Sequence, residues 1–134
     1  MFGKIEHIGI AVRDIGAADS LYEKLLGIAS YKQEKVESEG VITSFFMTGN
    51  NKIELLQGVN EGNAISVFIE KRGEGIHHVA FEVEDILVEM DRLKKEGFTL
   101  INEQPTKGAD NKLICFVHPK STNGVLIELC QEIG

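Results

Sequence analysis

An internal repeat is the feature that most constrains the fold of this chain. The segment from Lys4 to Ile15, KIEHIGIAVRDI, returns from Ile76 to Ile86 as IHHVAFEVEDI. Four identities share one offset of 71 residues: His7 with His78, Val12 with Val83, Asp14 with Asp85, and Ile15 with Ile86. The tripeptide IEL at 53–55 recurs at 127–129, at a nearby offset of 74. The sequence therefore predicts two copies of one structural module.

Each copy begins with a strand-like alternation and continues into a helix capped by an aspartate. Further strand-like runs follow, which gives the order βαβββ twice, with a helical connector over 63–71. Module one covers about 1–60 and module two about 74–134. Because either half would be marginal alone, we predict a single α+β domain over 1–134.

The helix and strand boundaries follow from caps and periodicity. Asp14 and Gly27 are expected to bound the first helix, with an apolar stripe of Leu21, Tyr22 and Leu25. Asp85 and Gly97 are expected to bound the second, with a stripe of Ile86, Met90 and Leu93. Strands are predicted over 98–101, 112–118 and 124–131.

Composition narrows the partners and the cellular location. A formal net charge of −7 argues against a nucleic-acid partner, since phosphate binding needs a basic surface. No apolar run reaches the length of a signal peptide or a membrane span, so no membrane partner is expected. Cys115 and Cys130 lie in apolar runs and are predicted to be free thiols, which fits a cytoplasmic protein.

Each module supplies one histidine near its start and one glutamate near its end. His7 and His78 occupy equivalent first-strand positions, each followed two residues later by a small residue. Glu54 and Glu128 are each flanked by apolar residues that alternation places on the opposite face. The four side chains form a candidate metal site, because burial beside a cation removes the cost of a buried carboxylate. Two simpler interpretations remain open: satisfied core histidines, and glutamates that face solvent.

Two imidazoles and two carboxylates suit one divalent ion, such as cobalt, nickel, manganese, iron or zinc, with positions open for water or substrate. Such an ion can stabilise an enolate as a Lewis acid. The other two histidines fit different roles. His77 is in phase with Val79 and is expected to pack or to support a ligand, and His118 marks a strand end.

Several motifs resemble the methylmalonyl-CoA epimerase family of the vicinal oxygen chelate superfamily. They include KIEHIGIAVRDI, NKIELLQ, EKRGEGIHHVAFEVEDI and HPKSTNGVLIELCQ, which together span nearly the whole chain. The resemblance implies two βαβββ modules that form one vicinal oxygen chelate domain with a metal-binding cavity. It also implies the metal ligands His7, Glu54, His78 and Glu128, an acyl-CoA substrate, and a homodimer. The implied reaction is epimerisation at C2 of the substrate through an enolate.

This chain departs from the family pattern at the groups that transfer protons. Thr43 stands where some members have a glutamate that is proposed as a base, and Glu54 stands where many have glutamine. Glu128 is predicted to act as a base, with Glu39 as a second candidate. Lys120 and Ser121 are expected either to contact the substrate or to form a strand-end turn.

Two other functions are compatible with the same residues. A lyase of the glyoxalase I kind would use the same four ligands and an enediolate, but would act on glutathione hemithioacetals. A non-catalytic small-molecule binding protein would use the cavity without a metal. Retention of all four ligand-type residues argues against the second.

Overall fold

The computed structural model describes every residue from 1 to 134. Eight strands and three helices follow in the order β1 (Ile5–Ala11), α1 (Ile15–Leu26), β2 (Lys32–Val36), β3 (Val41–Thr48), β4 (Asn51–Gly58), α2 (Ala64–Arg72), β5 (Gly75–Glu82), α3 (Ile86–Lys95), β6 (Thr106–Lys107), β7 (Lys112–Val117) and β8 (Ile127–Glu132). The predicted order, βαβββ twice around a helical connector, is confirmed, as is the α+β class. None of the helices combines the length and the apolar composition needed to cross a membrane.

The chain divides into two compact units by its internal contacts. One unit contains 7–77, and the other combines 1–6 with 78–134. They are called here the first and second units. The single domain over 1–134 stays a prediction.

In the first unit, strands β2, β3, β4 and β1 are neighbours in that order. Strand β1 runs parallel to β4, whereas β3 is antiparallel to both β2 and β4. Helix α1 covers one face of this sheet, where Val12, Ala18, Phe46 and Leu55 form a buried cluster. The opposite face carries His7 and Glu54, since side chains alternate along a strand.

The apolar stripe predicted for α1 is only partly correct. Tyr22 packs against the core cluster together with Ile15 and Leu26, but Leu21 and Leu25 are 62% and 69% exposed. Residues 15, 18, 22 and 26 form one helical stripe, and 21 and 25 belong to the adjacent one. The helix ends are as predicted: the Asp14 side chain accepts a hydrogen bond from the Ala17 amide, and Gly27 has a left-handed backbone.

In the second unit, strands β5, β8, β7 and β6 are neighbours in that order. Strand β5 is parallel to β8, and β7 is antiparallel to both β8 and β6. Helix α3 begins after Asp85, whose side chain caps it, and buries the predicted stripe of Ile86, Met90 and Leu93. These residues pack against Cys115, Val117 and Leu129 of the sheet.

The strand predicted over 98–101 is wrong. Residues 98–101 contribute a single bridge, from Leu100 to Val117. The second strand of this module is instead the two-residue β6, which pairs with β7 through Thr106 and Ile114. Residues 98–101 have the composition of a strand, but a strand also needs a neighbouring strand that pairs with it over successive residues. Strand β7 pairs in this way with residues 106–107 instead.

The connector helix and the cysteines agree with the sequence predictions. Asn63 caps α2 by accepting a hydrogen bond from the Ser66 amide. Both cysteines are free and buried. Burial, together with the nearby negative charge of Glu128, raises the pKa of the Cys115 thiol to about 12, so this thiol stays protonated at neutral pH.

Candidate functional site

A buried histidine–carboxylate pair lies in the first unit. His7 Nδ1 is 3.1 Å from Glu54 Oε2, and both residues are about 4% exposed. Strand register explains why they meet, because Gly9, two residues after His7, is the direct partner of Glu54 on β4. A residue without a side chain leaves room for the carboxylate to reach the imidazole across the strand.

The second unit repeats this arrangement. His78 Nε2 is 2.9 Å from Glu128 Oε1, and both residues are about 5% exposed. Ala80, two residues after His78, is the direct partner of Glu128 on β8. Both small residues that follow the histidines thus stand beside the glutamates. The interpretation in which Glu54 and Glu128 face solvent is wrong, because both carboxylates are buried.

A phenylalanine stands on the other side of each glutamate. Phe45 on β3 is the register partner of Glu54, and Phe116 on β7 is the register partner of Glu128. The Phe116 ring also meets the His78 ring edge-on, with centroids 5.9 Å apart. These two phenylalanines, missed in the sequence analysis, share the histidine offset of 71 residues, which could have identified them. They surround each polar pair with apolar side chains and so strengthen its electrostatic interactions.

One lysine, Lys52, lies on the same face of the sheet as the His7–Glu54 pair. Lys52 is the register partner of His7 on β1 and lies two residues before Glu54, so the three side chains share one side of the sheet. It is only 8% exposed. A buried ammonium is costly alone and is retained beside negative charge. Periodicity gave no signal for Lys52, since its burial depends on neighbouring strands.

The geometry of both pairs fits divalent-metal ligands. Two donor atoms bound at about 2.1 Å to one ion, at right angles, lie about 3 Å apart. The pairs in this structure, at 3.1 and 2.9 Å, have that separation and the required imidazole nitrogen and carboxylate oxygen donors. The same distances also fit a direct hydrogen bond, so the geometry of each pair is compatible with either a bound ion or a histidine–glutamate hydrogen bond.

The remaining polar residues occupy distinct places. His77 packs edge-on against Phe68 of α2, with centroids 5.0 Å apart, as its predicted packing role requires. His118 follows β7, and its Nδ1 accepts a hydrogen bond from the Lys120 amide. Thr43 is buried on β3 at 1% exposure.

Lys120 and Ser121 lie in a 3-10 turn over Pro119–Ser121. Ser121 Oγ accepts a hydrogen bond from the Thr99 amide at 3.0 Å, which is a turn-forming contact. The turn follows Val117, whose partner Ile127 directly precedes Glu128. Lys120 and Ser121 are therefore brought to the end of β8 at which Glu128 lies. Their role as substrate contacts stays a prediction.

Comparison with known proteins agrees with this geometry. The family model of the Glyoxalase/Bleomycin resistance protein/Dioxygenase superfamily matches residues 6–116. The Ethylmalonyl-CoA/methylmalonyl-CoA epimerase of Cereibacter sphaeroides is 42% identical over 133 residues, which cover 98% of this chain and 99% of that protein.

Solved structures give the same result. Methylmalonyl-CoA epimerase from Mycobacterium tuberculosis is 32% identical with a TM-score of 0.93, over 97% of this chain and 88% of that one. A methylmalonyl-CoA epimerase in complex with methylmalonyl-CoA and NH4+ is 29% identical with a TM-score of 0.94, over 100% and 97% of the two chains. The chain therefore belongs to the Glyoxalase/Bleomycin resistance protein/Dioxygenase superfamily and is an enzyme homologous to its methylmalonyl-CoA epimerases.

Proposed function

We propose that this protein is a metal-dependent epimerase that interconverts the C2 epimers of methylmalonyl-CoA. The observation that carries the proposal is the buried histidine–glutamate pair that recurs in both units, in a chain 42% identical to an epimerase of ethylmalonyl-CoA and methylmalonyl-CoA. The relative solved with methylmalonyl-CoA supports an acyl-CoA substrate.

His7, Glu54, His78 and Glu128 are proposed to hold one divalent ion, such as cobalt, nickel, manganese, iron or zinc. Such an ion supplies Lewis-acid stabilisation for the negative charge that develops on the thioester oxygen. Within each unit, the pair would hold its imidazole and carboxylate donors about 3 Å apart before an ion binds. Phe45 and Phe116, beside the glutamates, would exclude water from the donors and so strengthen their charge interactions.

Epimerisation requires a proton to leave C2 from one face of the substrate and a proton to return on the other. We assign the first transfer to Glu128, whose Oε1 is directed to His78 and whose second oxygen would take the C2 proton. The electron pair of the broken C–H bond moves toward the thioester carbonyl and forms an enolate. A proton delivered to the opposite face completes the exchange, with no net oxidation or reduction.

Two further assignments belong to the same proposal. Lys120 and Ser121, at the end of β7 beside the start of β8, would contact the carboxylate or the thioester of the substrate. A homodimer is proposed as the assembly. The cytoplasmic location stays a prediction of the sequence.

Deuterium exchange tests the proposal. The protein is stripped of metal, reconstituted with Co2+ and mixed with methylmalonyl-CoA in D2O, and deuterium at C2 is followed by NMR. Metal-dependent exchange is expected in both epimers. If metal binds and no exchange occurs, methylmalonyl-CoA is the wrong substrate, and turnover of glutathione hemithioacetals would then favour the lyase. If no transition metal binds at neutral pH, the metal assignment fails.

A further inference from the structure

An epimerase that uses two proton-transfer groups needs a second one besides Glu128. The face of the first unit that carries His7 and Glu54 is the place to search for it. Thr43 is on that face, since its register partner Leu56 lies two residues after Glu54 on β4. A threonine hydroxyl remains protonated at neutral pH and cannot serve as a general base alone. The second group must therefore be another side chain.

Strand β2 brings one more carboxylate to this face. Glu34 is the direct register partner of Thr43, and side chains directly opposite in an antiparallel pair project to the same side. The next pair of residues along the same face supports this placement. Val36, two residues after Glu34, pairs with Val41, and both valines are buried. Apart from Glu54, Glu34 is the only carboxylate that the strands of the first unit place on this face. Glu39, the other sequence candidate, lies in the turn between β2 and β3.

The contacts of Lys32 indicate that the Glu34 carboxylate lies on the face of the sheet that carries His7 and Glu54. Lys32 Nζ is 3.4 Å from Glu34 Oε1 and 5.0 Å from the centroid of the Phe45 ring. Phe45 is fully buried and is the register partner of Glu54. An ammonium over this ring holds the Glu34 carboxylate on the side of the sheet that carries the candidate metal ligands.

The Thr43 side chain is shorter than that of Glu34, its register partner. Opposed Cβ atoms in an antiparallel pair are about 5 Å apart, and a glutamate carboxylate extends nearly that far from its own Cβ. The Glu34 carboxylate can therefore occupy the volume above the shorter Thr43 side chain. Its side chain is 35% exposed, so it combines access to a substrate with an anchored position.

We propose that Glu34 is the second proton-transfer residue of the epimerase, acting from β2 across Thr43 and complementing Glu128 in the reaction. This inference rests on the proposed function. For one epimer the Glu34 carboxylate takes the C2 proton and the electron pair forms the enolate, and Glu128 returns a proton on the other face. For the other epimer the roles reverse, so the atoms and charges balance in both directions.

The test compares deuterium exchange in each epimer separately. Glu34→Gln keeps the size of the side chain but cannot accept a proton. We expect interconversion to fall about 100-fold or more. The epimer whose C2 hydrogen faces Glu128 should still exchange with D2O, whereas the other should not. Glu34→Asp retains a carboxylate and should exchange both epimers at a reduced rate.

Glu37→Gln is the matched control, because Glu37 directly follows β2 and, like Glu34, pairs with a lysine two residues earlier, but its side chain is 82% exposed. It should leave both exchange rates unchanged, and metal content should be normal in every variant. Full interconversion by Glu34→Gln, or an equal loss of exchange in both epimers, would overturn the assignment while the epimerase proposal stands. Absence of exchange in the unmodified protein would overturn both proposals.

Discussion

The side-chain oxygen of Gln57 accepts a hydrogen bond from the backbone amide of Ile15, the first residue of α1, at 2.7 Å. The second unit repeats this bond, since Gln131 Oε1 accepts one from the Ile86 amide at the start of α3, at 2.8 Å. Each glutamine follows a candidate ligand glutamate by three residues. The strand that carries the glutamate is thereby fixed to the helix of the same module, and an otherwise unpaired helix amide is satisfied.

Gln57→Leu should destabilise the protein by about 1 to 2 kcal/mol, because it removes the acceptor of a first-turn amide that is partly buried. Urea unfolding followed by circular dichroism measures the change. Gln57→Glu is the matched control. Its carboxylate can accept the same hydrogen bond and is favoured at a helix N-terminus, so stability should be retained. Equal losses in both variants would show that the hydrogen bond is not the cause.

Local sequence signals account for much of this fold. Asp14 and Asp85 cap their helices as predicted, because a cap depends on residues within one turn. Alternation also placed His7 and Glu54 correctly on a face opposite the helix-packing residues. Such predictions succeed where the determining contacts are close in sequence.

Features that depend on contacts between residues distant in sequence could not be predicted from local sequence signals. Leu21 and Tyr22 both fit a helical stripe, and only the sheet beneath α1 decides that Tyr22 is partly buried and Leu21 is exposed. Similarly, the position of Phe45 opposite Glu54, and of Glu34 opposite Thr43, depends on strand register. A one-residue change in register would move each side chain to the other face.

His7→Ala and Glu128→Ala are each expected to abolish activity and to weaken metal binding. Loss of a direct ligand should lower affinity by more than the roughly 10- to 100-fold typical of a supporting partner. Metal content after gel filtration, measured by mass spectrometry, provides a readout independent of turnover. His77→Gln should keep nearly normal metal content, since His77 packs against Phe68. A variant of His7 or Glu128 with full metal content and activity would remove that residue from the site.

Glu54→Gln should retain metal binding, because the amide oxygen remains a donor at the same position. Loss of one negative charge should lower affinity by about tenfold. Competition of the variant with a metal-sensitive dye measures the change, and Glu54→Leu serves as the comparison without a donor. Equal affinities for the glutamine and leucine variants would exclude Glu54 as a ligand.

Gly58→Ala should destabilise the first unit by about 1 to 3 kcal/mol. A Cβ at this position would clash with Ser66 Oγ and lie 2.5 Å from Asn63 Oδ1, at the capped start of α2. Gly16→Ala is the matched control. A Cβ at Gly16 would lie 3.4 Å from its nearest neighbour, Asp14 Oδ1, and alanine is more favourable than glycine in a helix. Thermal unfolding should show opposite shifts for the two variants. A neutral Gly58→Ala would mean that α2 moves away without cost.

Glu89 should contribute a pH-dependent part of the stability of the second unit. The Met1 ammonium, 2.8 Å from Oε2, and Arg92, 3.0 Å from Oε1, hold the pKa of the buried Glu89 carboxyl below its ordinary value despite desolvation. A pKa lower in the folded state than in the unfolded state means that folding favours the ionised carboxylate. This contribution is complete above the unfolded pKa of about 4.3, and it is lost as the pH falls through the lower folded value.

Glu89→Gln tests this prediction, since it keeps the shape of the side chain and removes the charge. The unmodified protein should be the more stable of the two at pH 7. The difference should shrink only below about pH 4.3, where the unfolded chain takes up a proton while the folded carboxylate is still ionised, and it should vanish as the pH falls through the lower folded pKa. Urea unfolding of both proteins between pH 3 and 7 measures the difference directly. A difference independent of pH would assign the effect to hydrogen bonding and packing, because a neutral amide differs from a carboxylate in those respects at every pH.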